Sequence, residues 1–212
     1  MSQFIIEMGS ANEHHNDIGY LREMIDAVVD CDTGKHSIVF KHQLFEHAGK
    51  NEPLLWRTFA WAHGYASELG YETTASVFDV VSREFLCGYD VPFIKIACRP
   101  KLYHLVYGGH PGNRFIVSYY ESAHLPKVGD TADRVGGWLA CVPKYPATLG
   151  EYESKFTAPE LERGISDHTI GWRLFHAYAP VRIEKHFCLK RSYENPDSGP
   201  FAVTPDELRE VL

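Results

Sequence analysis

The chain has 212 residues, with 21 Lys and Arg against 28 Asp and Glu and a formal net charge of -7. That length fits one domain with an ample core, and that charge, without any basic run, argues against a nucleic-acid groove or a membrane-surface patch. Five cysteines without a CxxC pair fit reduced thiols better than a disulfide framework, and with no signal-peptide pattern and no bilayer-length apolar run the expected location is cytoplasmic.

Residues 4–9 read as a buried strand, followed by a polar loop and a helix with Leu21, Met24, Ile25, Val28 and Val29 at 3.6-residue spacing. Residues 37–41 are strand-like, 54–69 helical with Gly70 as the stop, and 72–78 strand-like again. A short helix at 80–86 precedes further strands at 92–98, 114–119, 138–142, 165–168 and 181–187. Strands alternating with helices predict an α/β fold, and eight of them predict closure into a (β/α)8 TIM barrel occupying residues 1–212 as a single domain. The chain is short for that fold. Gly108, Gly109, Pro111 and Gly112 interrupt the fourth crossover, and Pro126, Gly129, Gly136 and Gly137 the fifth, so crossover helices around strands 4 to 6 are expected to be shortened or missing.

In a parallel barrel the catalytic groups stand at the C-terminal ends of the strands. Here apolar strands close on polar residues: Glu7, Lys41 followed by Gln43, Lys95, Ser118, Tyr145 after strand six, Ser166 with His168, and Glu184 with His186. Two-residue alternation puts Arg182, Glu184 and His186 on one face of strand eight, with Val181, Ile183, Lys185 and Phe187 on the other. His168 and His186 at neighbouring strand ends suit a divalent metal, with Glu7 or Glu184 as a further ligand or acid-base partner. Lys41 and Lys95 are cations after apolar runs, which a phosphate or carboxylate would satisfy, and Ser118 and Ser166 could complete the cradle. His14, His15, His42 and His47 read as polar loop residues, with His14 a candidate to line the pocket. Cys98 reads as a buried thiol beside the phosphate site. The aromatic group Trp56, Phe59, Trp61 and Tyr65 reads as core packing or an oligomer face, and a homodimer is consistent with it.

In their order along the chain these motifs resemble the sialic acid synthase family, phosphoenolpyruvate-dependent condensing enzymes that make N-acetylneuraminic, legionaminic and pseudaminic acids. The resemblance rests on Phe4-Ile-Ile-Glu-Met-Gly, on Lys41-His42-Gln43 for Lys-Phe-Gln, on Lys95-Ile-Ala-Cys98, and most specifically on Tyr145-Pro146, Gly164-Ile-Ser-Asp-His-Thr169 and Ile183-Glu-Lys-His-Phe187, with Asn195-Pro-Asp197 following. It implies a metal between His168 and His186, manganese or magnesium first, with zinc or cobalt as alternatives. It further implies phosphoenolpyruvate held by Lys41, Lys95, Ser118 and Ser166, with Cys98 beside it, and an acceptor amino sugar contacted by Glu7, Gln43, Tyr145 and Asp197. The implied reaction joins the enol carbon of phosphoenolpyruvate to a metal-polarised open-chain sugar aldehyde and, after water adds, releases phosphate to leave a 2-keto sugar acid. Cys98 replaces the family's Ser, Pro100 its Glu and Pro143 its Asn, and the resemblance ends with the barrel, so no C-terminal antifreeze-like domain is expected. A non-catalytic sugar-acid-binding or assembly protein of the same descent, and a metal-dependent aldolase, are the alternative readings.

Overall fold

The computed structural model describes residues 1–46, 51–110, 112–125 and 134–212. Eight parallel strands close into a barrel in sequence order: β1 Gln3–Glu7, β2 Ser37–Leu44, β3 Glu72–Val77, β4 Ile94–Ile96, β5 Phe115–Tyr119, β6 Val135–Cys141, β7 Ile165–Asp167 and β8 Arg182–His186. The helices are α1 Ile18–Val29, α2 Trp56–Glu68, α3 Val80–Leu86, α4 Leu149–Lys155, α5 Ala158–Arg163, α6 Arg173–Tyr178 and α7 Pro205–Leu208. Several begin on caps legible in the sequence. Asp17 accepts from the amides of Gly19 and Tyr20 at the start of α1, Asp79 accepts from Ser82 at the start of α3, and Thr148 with Glu151 forms a capping box on α4.

The expected economies are present. The fourth crossover is a 3-10 segment, Pro100–Tyr107, and the sixth is split between the short helices α4 and α5. In the fifth crossover the described residues hold one 3-10 turn, Ser122–His124, while Pro126 and Gly129 lie outside the described residues. Strand limits differ from the sequence reading at functional positions. β2 runs on to Leu44, which places Gln43 inside it, whereas β4 is only Ile94–Ile96 and leaves Cys98 beyond its end. Strand pairing explains the contrast: β2 is paired along its length by β1 and β3, whereas β3 and β4 meet only at Ser76 and Lys95. Among the described residues no helix is long and apolar enough to cross a membrane.

Alternation sorts the strands into two faces. Phe4, Ile6, Phe40, Ile183 and Phe187 face outward and pack with Met24, Ile25 and Val28 of α1. Inside the barrel, Ile5, Val39, Phe93, Ile116 and Leu139 form an apolar layer. At its N-terminal end Arg182 donates to Gln3 Oε1 at 2.6 Å, and Gly137 leaves room for its guanidinium, which a Cβ would meet at 2.6 Å. The apolar layer is a dry floor, and the polar strand ends stand above it. The aromatic group divides: Phe59 is buried, while the exposed Trp56 stacks on Phe85 with centroids 4.7 Å apart.

Two polar residues sit on the outward face of the sheet. His42 is not the loop residue its chemistry led us to expect. It shares the parity of Phe40 and Leu44, is fully buried beneath α2 edge-on to Phe59, and neither ring nitrogen has a hydrogen-bond partner among the described residues. Burial lowers its pKa to about 4. Lys185 of β8 donates to Asp167 Oδ2 of β7 at 3.1 Å and to the carbonyl of Thr169, and Asp167 Oδ1 accepts from the Thr169 amide and hydroxyl. Both side chains of this ion pair are fully buried.

Each feature predicts a stability change. The unfolded chain protonates His42 below about 6.5 while the folded chain resists until about 4, so wild-type stability is lost as pH falls through that window, by about 3 kcal/mol. His42→Phe fills the same apolar site without the proton linkage. Its advantage in urea unfolding should grow between pH 6.5 and 4, and a pH-independent difference refutes the assignment. Lys185→Met strands the Asp167 carboxylate and should cost about 3–5 kcal/mol. An unchanged denaturant midpoint for that variant counts against a structural role for the pair.

Candidate functional site

The site grows from the register of three strands. β1 lies between β2 and β8, and Glu7 is level with Lys41 on one side and His186 on the other. All three point inward. Lys41 Nζ is 3.4 Å from Glu7 Oε1, and His186 Nδ1 is 2.7 Å from Glu7 Oε2. The chain leaves β1 through Gly9, whose amide donates to Glu7 Oε1 at 2.9 Å. A Cβ on Gly9 would stand 2.8 Å from Glu7 and 2.9 Å from Asp197, and closer still to the Gln43 amide, so a side chain here would push these groups out of their present geometry.

Asp197 reaches the same point from the loop after β8. Asn195 pins that loop by donating to the Ser10 carbonyl at 2.8 Å, while its own Oδ1 accepts the Asp197 amide at 3.0 Å. Asp197 Oδ1 then lies 3.1 Å from His186 Nδ1 and accepts from Gln43 Nε2 at 3.2 Å. Burial raises the Glu7 carboxyl and lowers His186, but their mutual charge reverses both effects. Glu7, beside Lys41 and His186, is held well below the usual carboxylate range, and His186, beside Glu7 and Asp197, is lifted to about 9.

Above the apolar floor opens a cavity of about 390 Å³ lined by Lys41, Gln43, Lys95, Cys98, Ser118, Tyr145, Ser166, His168, Glu184, His186 and Asp197. The sequence-expected residues are therefore gathered in one place, with Glu7 buried behind the wall. Lys95 Nζ donates to Ser118 Oγ at 2.7 Å and lies 3.4 Å from Glu184 Oε2, while Ser166 Oγ donates to Glu184 Oε1 at 2.9 Å. Burial lowers the Lys95 ammonium, partly offset by Glu184. Cys98 lines the cavity beyond β4, and hydrogen bonding from the Cys141 thiol pulls its pKa down.

His168 and His186 are neighbours, with ring centroids 5.6 Å apart. Their surroundings differ. His168 Nδ1–H donates to the Val142 carbonyl at 2.8 Å, which leaves Nε2 for a ligand, and burial next to His186 lowers its pKa to about 3. Tyr145 lies over its ring at 4.0 Å. Among the described residues, Glu7, His186 and Asp197 bring ligand atoms within 4.8 Å of one another. Glu7 Oε2 and His186 Nδ1 are buried without hydrogen-bond geometry to any partner. An imidazole nitrogen that gives up its proton and two carboxylates suit a divalent cation, so the residues fit such an ion, which would take the place of the His186 proton between the carboxylates. This group is centred on His186 rather than midway between the two histidines, and beside the expected Glu7 it adds Asp197.

Four contributors have no role in the sequence reading. Ser76 of β3 accepts from Lys41 Nζ at 2.9 Å and lines the cavity. Its one signal in the sequence is inward parity on β3. Gly9 was legible as the end of β1, but its crowding arises from Asp197, far along the chain. Arg99 and Phe78 also line the cavity. His14 stacks on Tyr20 beside a different cavity, and His47 lies outside the described residues.

Comparison with known proteins bears on the sequence family and the fold. Residues 131–212 match the model of the NeuB family. The uncharacterized protein MJ1065 of Methanocaldococcus jannaschii is 26% identical over 245 aligned residues, covering 99% of this chain and 68% of that protein. The N-acetylneuraminic acid synthetase of Leptospira borgpetersenii superposes with a TM-score of 0.75 at 23% identity, over 98% of this chain and 80% of that one. A putative spore coat polysaccharide biosynthesis protein E from Chromobacterium violaceum gives 0.74 at 15% identity, over 99% and 72% of the two chains. The chain thus matches the NeuB family model over residues 131–212 and, over nearly its whole length, shares the closed barrel fold of the Leptospira synthetase.

Proposed function

We propose that the chain is a phosphoenolpyruvate-dependent sugar acid synthase that condenses phosphoenolpyruvate with an open-chain amino-sugar aldehyde. One observation carries this reading: a single cavity is lined by two buried lysines, serine hydroxyls, His168, His186 and Asp197, with Glu7 buried behind its wall within reach of Lys41, His186 and Asp197. The lysines with Ser76, Ser118 and Ser166 match a small dianion carrying phosphate and carboxylate. A divalent cation at Glu7, His186 and Asp197, with His168 beside it, would supply Lewis-acid polarisation of the aldehyde oxygen.

The chain's own groups account for the remainder. Lys41 and Lys95 orient phosphoenolpyruvate so that its enol carbon faces the aldehyde carbon, and a carbon-carbon bond forms there while the aldehyde oxygen gains a proton. Water adds to the cationic enol-ether carbon, the carbon-oxygen bond to phosphate breaks, and a 2-keto acid and inorganic phosphate result. Glu184, hydrogen-bonded to Ser166 and close to Lys95, is placed to take the water proton. Tyr145 and the neighbouring rings wall off the aldehyde end.

Phosphate release should therefore require phosphoenolpyruvate, a divalent metal and one member of a panel of amino sugars, and should stop with EDTA. Lys41→Met and Lys95→Met should each lower kcat/KM by about a hundredfold or more. No release with any acceptor, together with no calorimetric binding of phosphoenolpyruvate, rejects the proposal, and turnover of a sugar acid without phosphoenolpyruvate favours an aldolase. Asp197→Asn should weaken manganese binding by about ten- to a hundredfold by titration calorimetry, and unaltered affinity would remove Asp197 from the ligand set.

A further inference from the structure

The turn after β4 puts another cation on the same cavity. Arg99 lines it beside Phe78, and its guanidinium carbon lies 5.3 Å from the centre of the Phe78 ring. Its setting differs from that of the lysines. Lys41 and Lys95 are almost completely buried, and each faces a carboxylate, Glu7 or Glu184, at 3.4 Å. Arg99 is exposed, and among the described residues its guanidinium makes no ion pair or hydrogen bond, only the ring contact. A guanidinium held by an aromatic face keeps its N–H fork free for two parallel bonds to a phosphate or carboxylate. The next residue, Pro100, offers no side-chain acceptor to occupy that fork.

Depth separates the two anion sites. The buried lysines and serines already match the phosphate and carboxylate of phosphoenolpyruvate, so an anion at the exposed Arg99 belongs to the other substrate. We propose that Arg99 selects an acceptor that carries its own anionic group, a phosphate or carboxylate at the end remote from the aldehyde, over a neutral amino sugar. The identity of that ligand as an acceptor rests on the synthase reading. The anion site itself rests on Arg99 and Phe78.

The test compares N-acetylmannosamine, its 6-phosphate, the corresponding uronic acid and phosphoenolpyruvate, each titrated into the full chain with manganese, for wild type, Arg99→Ala and Arg99→Lys. Wild type should bind at least one charged sugar about tenfold or more tighter than the neutral sugar. Arg99→Ala should bring that ratio close to one, and Arg99→Lys should restore part of it. Thermal melts check that each variant is folded, as expected for an exposed side chain. Equal wild-type affinity for charged and neutral sugars overturns the proposal. So does a preference that survives in Arg99→Ala, or a loss confined to phosphoenolpyruvate binding. Phosphate release is measured in parallel. An Arg99-dependent preference without turnover of any sugar upholds the anion site and rejects the synthase, whereas turnover of the neutral sugar alone, with no such preference, does the reverse.

Discussion

The Glu7 carboxylate held between Lys41 and His186 is the constraint from which the site follows. Three ionisable groups above a dry apolar floor are costly singly and tolerable only together, because each desolvated charge needs an opposite charge within a few ångströms. The closed barrel provides that proximity through register alone, since β1 lies between β2 and β8 and all three side chains share inward parity. Once Glu7 is anionic and His186 cationic, Gln43, Asp197 and the Gly9 amide have a fixed charge pattern to satisfy. The absence of a side chain at Gly9 is part of the same geometry, because a Cβ there would displace the converging groups.

From that centre the cavity divides by chemistry. On one side, Lys95 is joined to Ser118 and faces Glu184, which Ser166 also contacts, so cationic and acidic groups interleave across β4, β5, β7 and β8. On the other, His168 is fixed in one tautomer by the Val142 carbonyl and lies under Tyr145. An anion-binding end and an end rich in imidazole and carboxylate, joined in one small cavity, suit the union of an anionic donor with a carbonyl acceptor. The dry floor strengthens both sets of interactions by excluding water beneath them.

The outward face of the same strands carries a second, quieter organisation. Asp167 and Lys185 alternate with Ser166, His168, Glu184 and His186, so their ion pair ties β7 to β8 directly behind the two histidines. Parity thus assigns neighbouring residues to opposite tasks: one sequence position faces the cavity and the next secures the sheet. His42 illustrates the hazard of reading residue type without parity. Its polarity points to a loop, whereas its place between Phe40 and Leu44 dictates burial under α2.

Much of the architecture was legible in the sequence, because strand and helix periods, polar strand ends and capping residues are local. The eight strands, the shortened crossovers and Glu7, Lys41, Lys95, Ser166, Glu184 and His186 could all be placed by alternation and position. The limits of β2 and β4 could not, since they depend on how far each neighbour extends. Nor could Ser76 beside Lys41, Asp197 beside Gly9, or Arg99 against Phe78, which are separated in the chain and meet only because the barrel closes. The sequence by itself determined which side chains face inward and which strand ends carry charge, through two-residue alternation. Only the tertiary structure decided which of those charges neutralise one another and which, at Arg99, has no ionic partner among the described residues, because pairing depends on cross-strand distance and on loops returning from far along the chain.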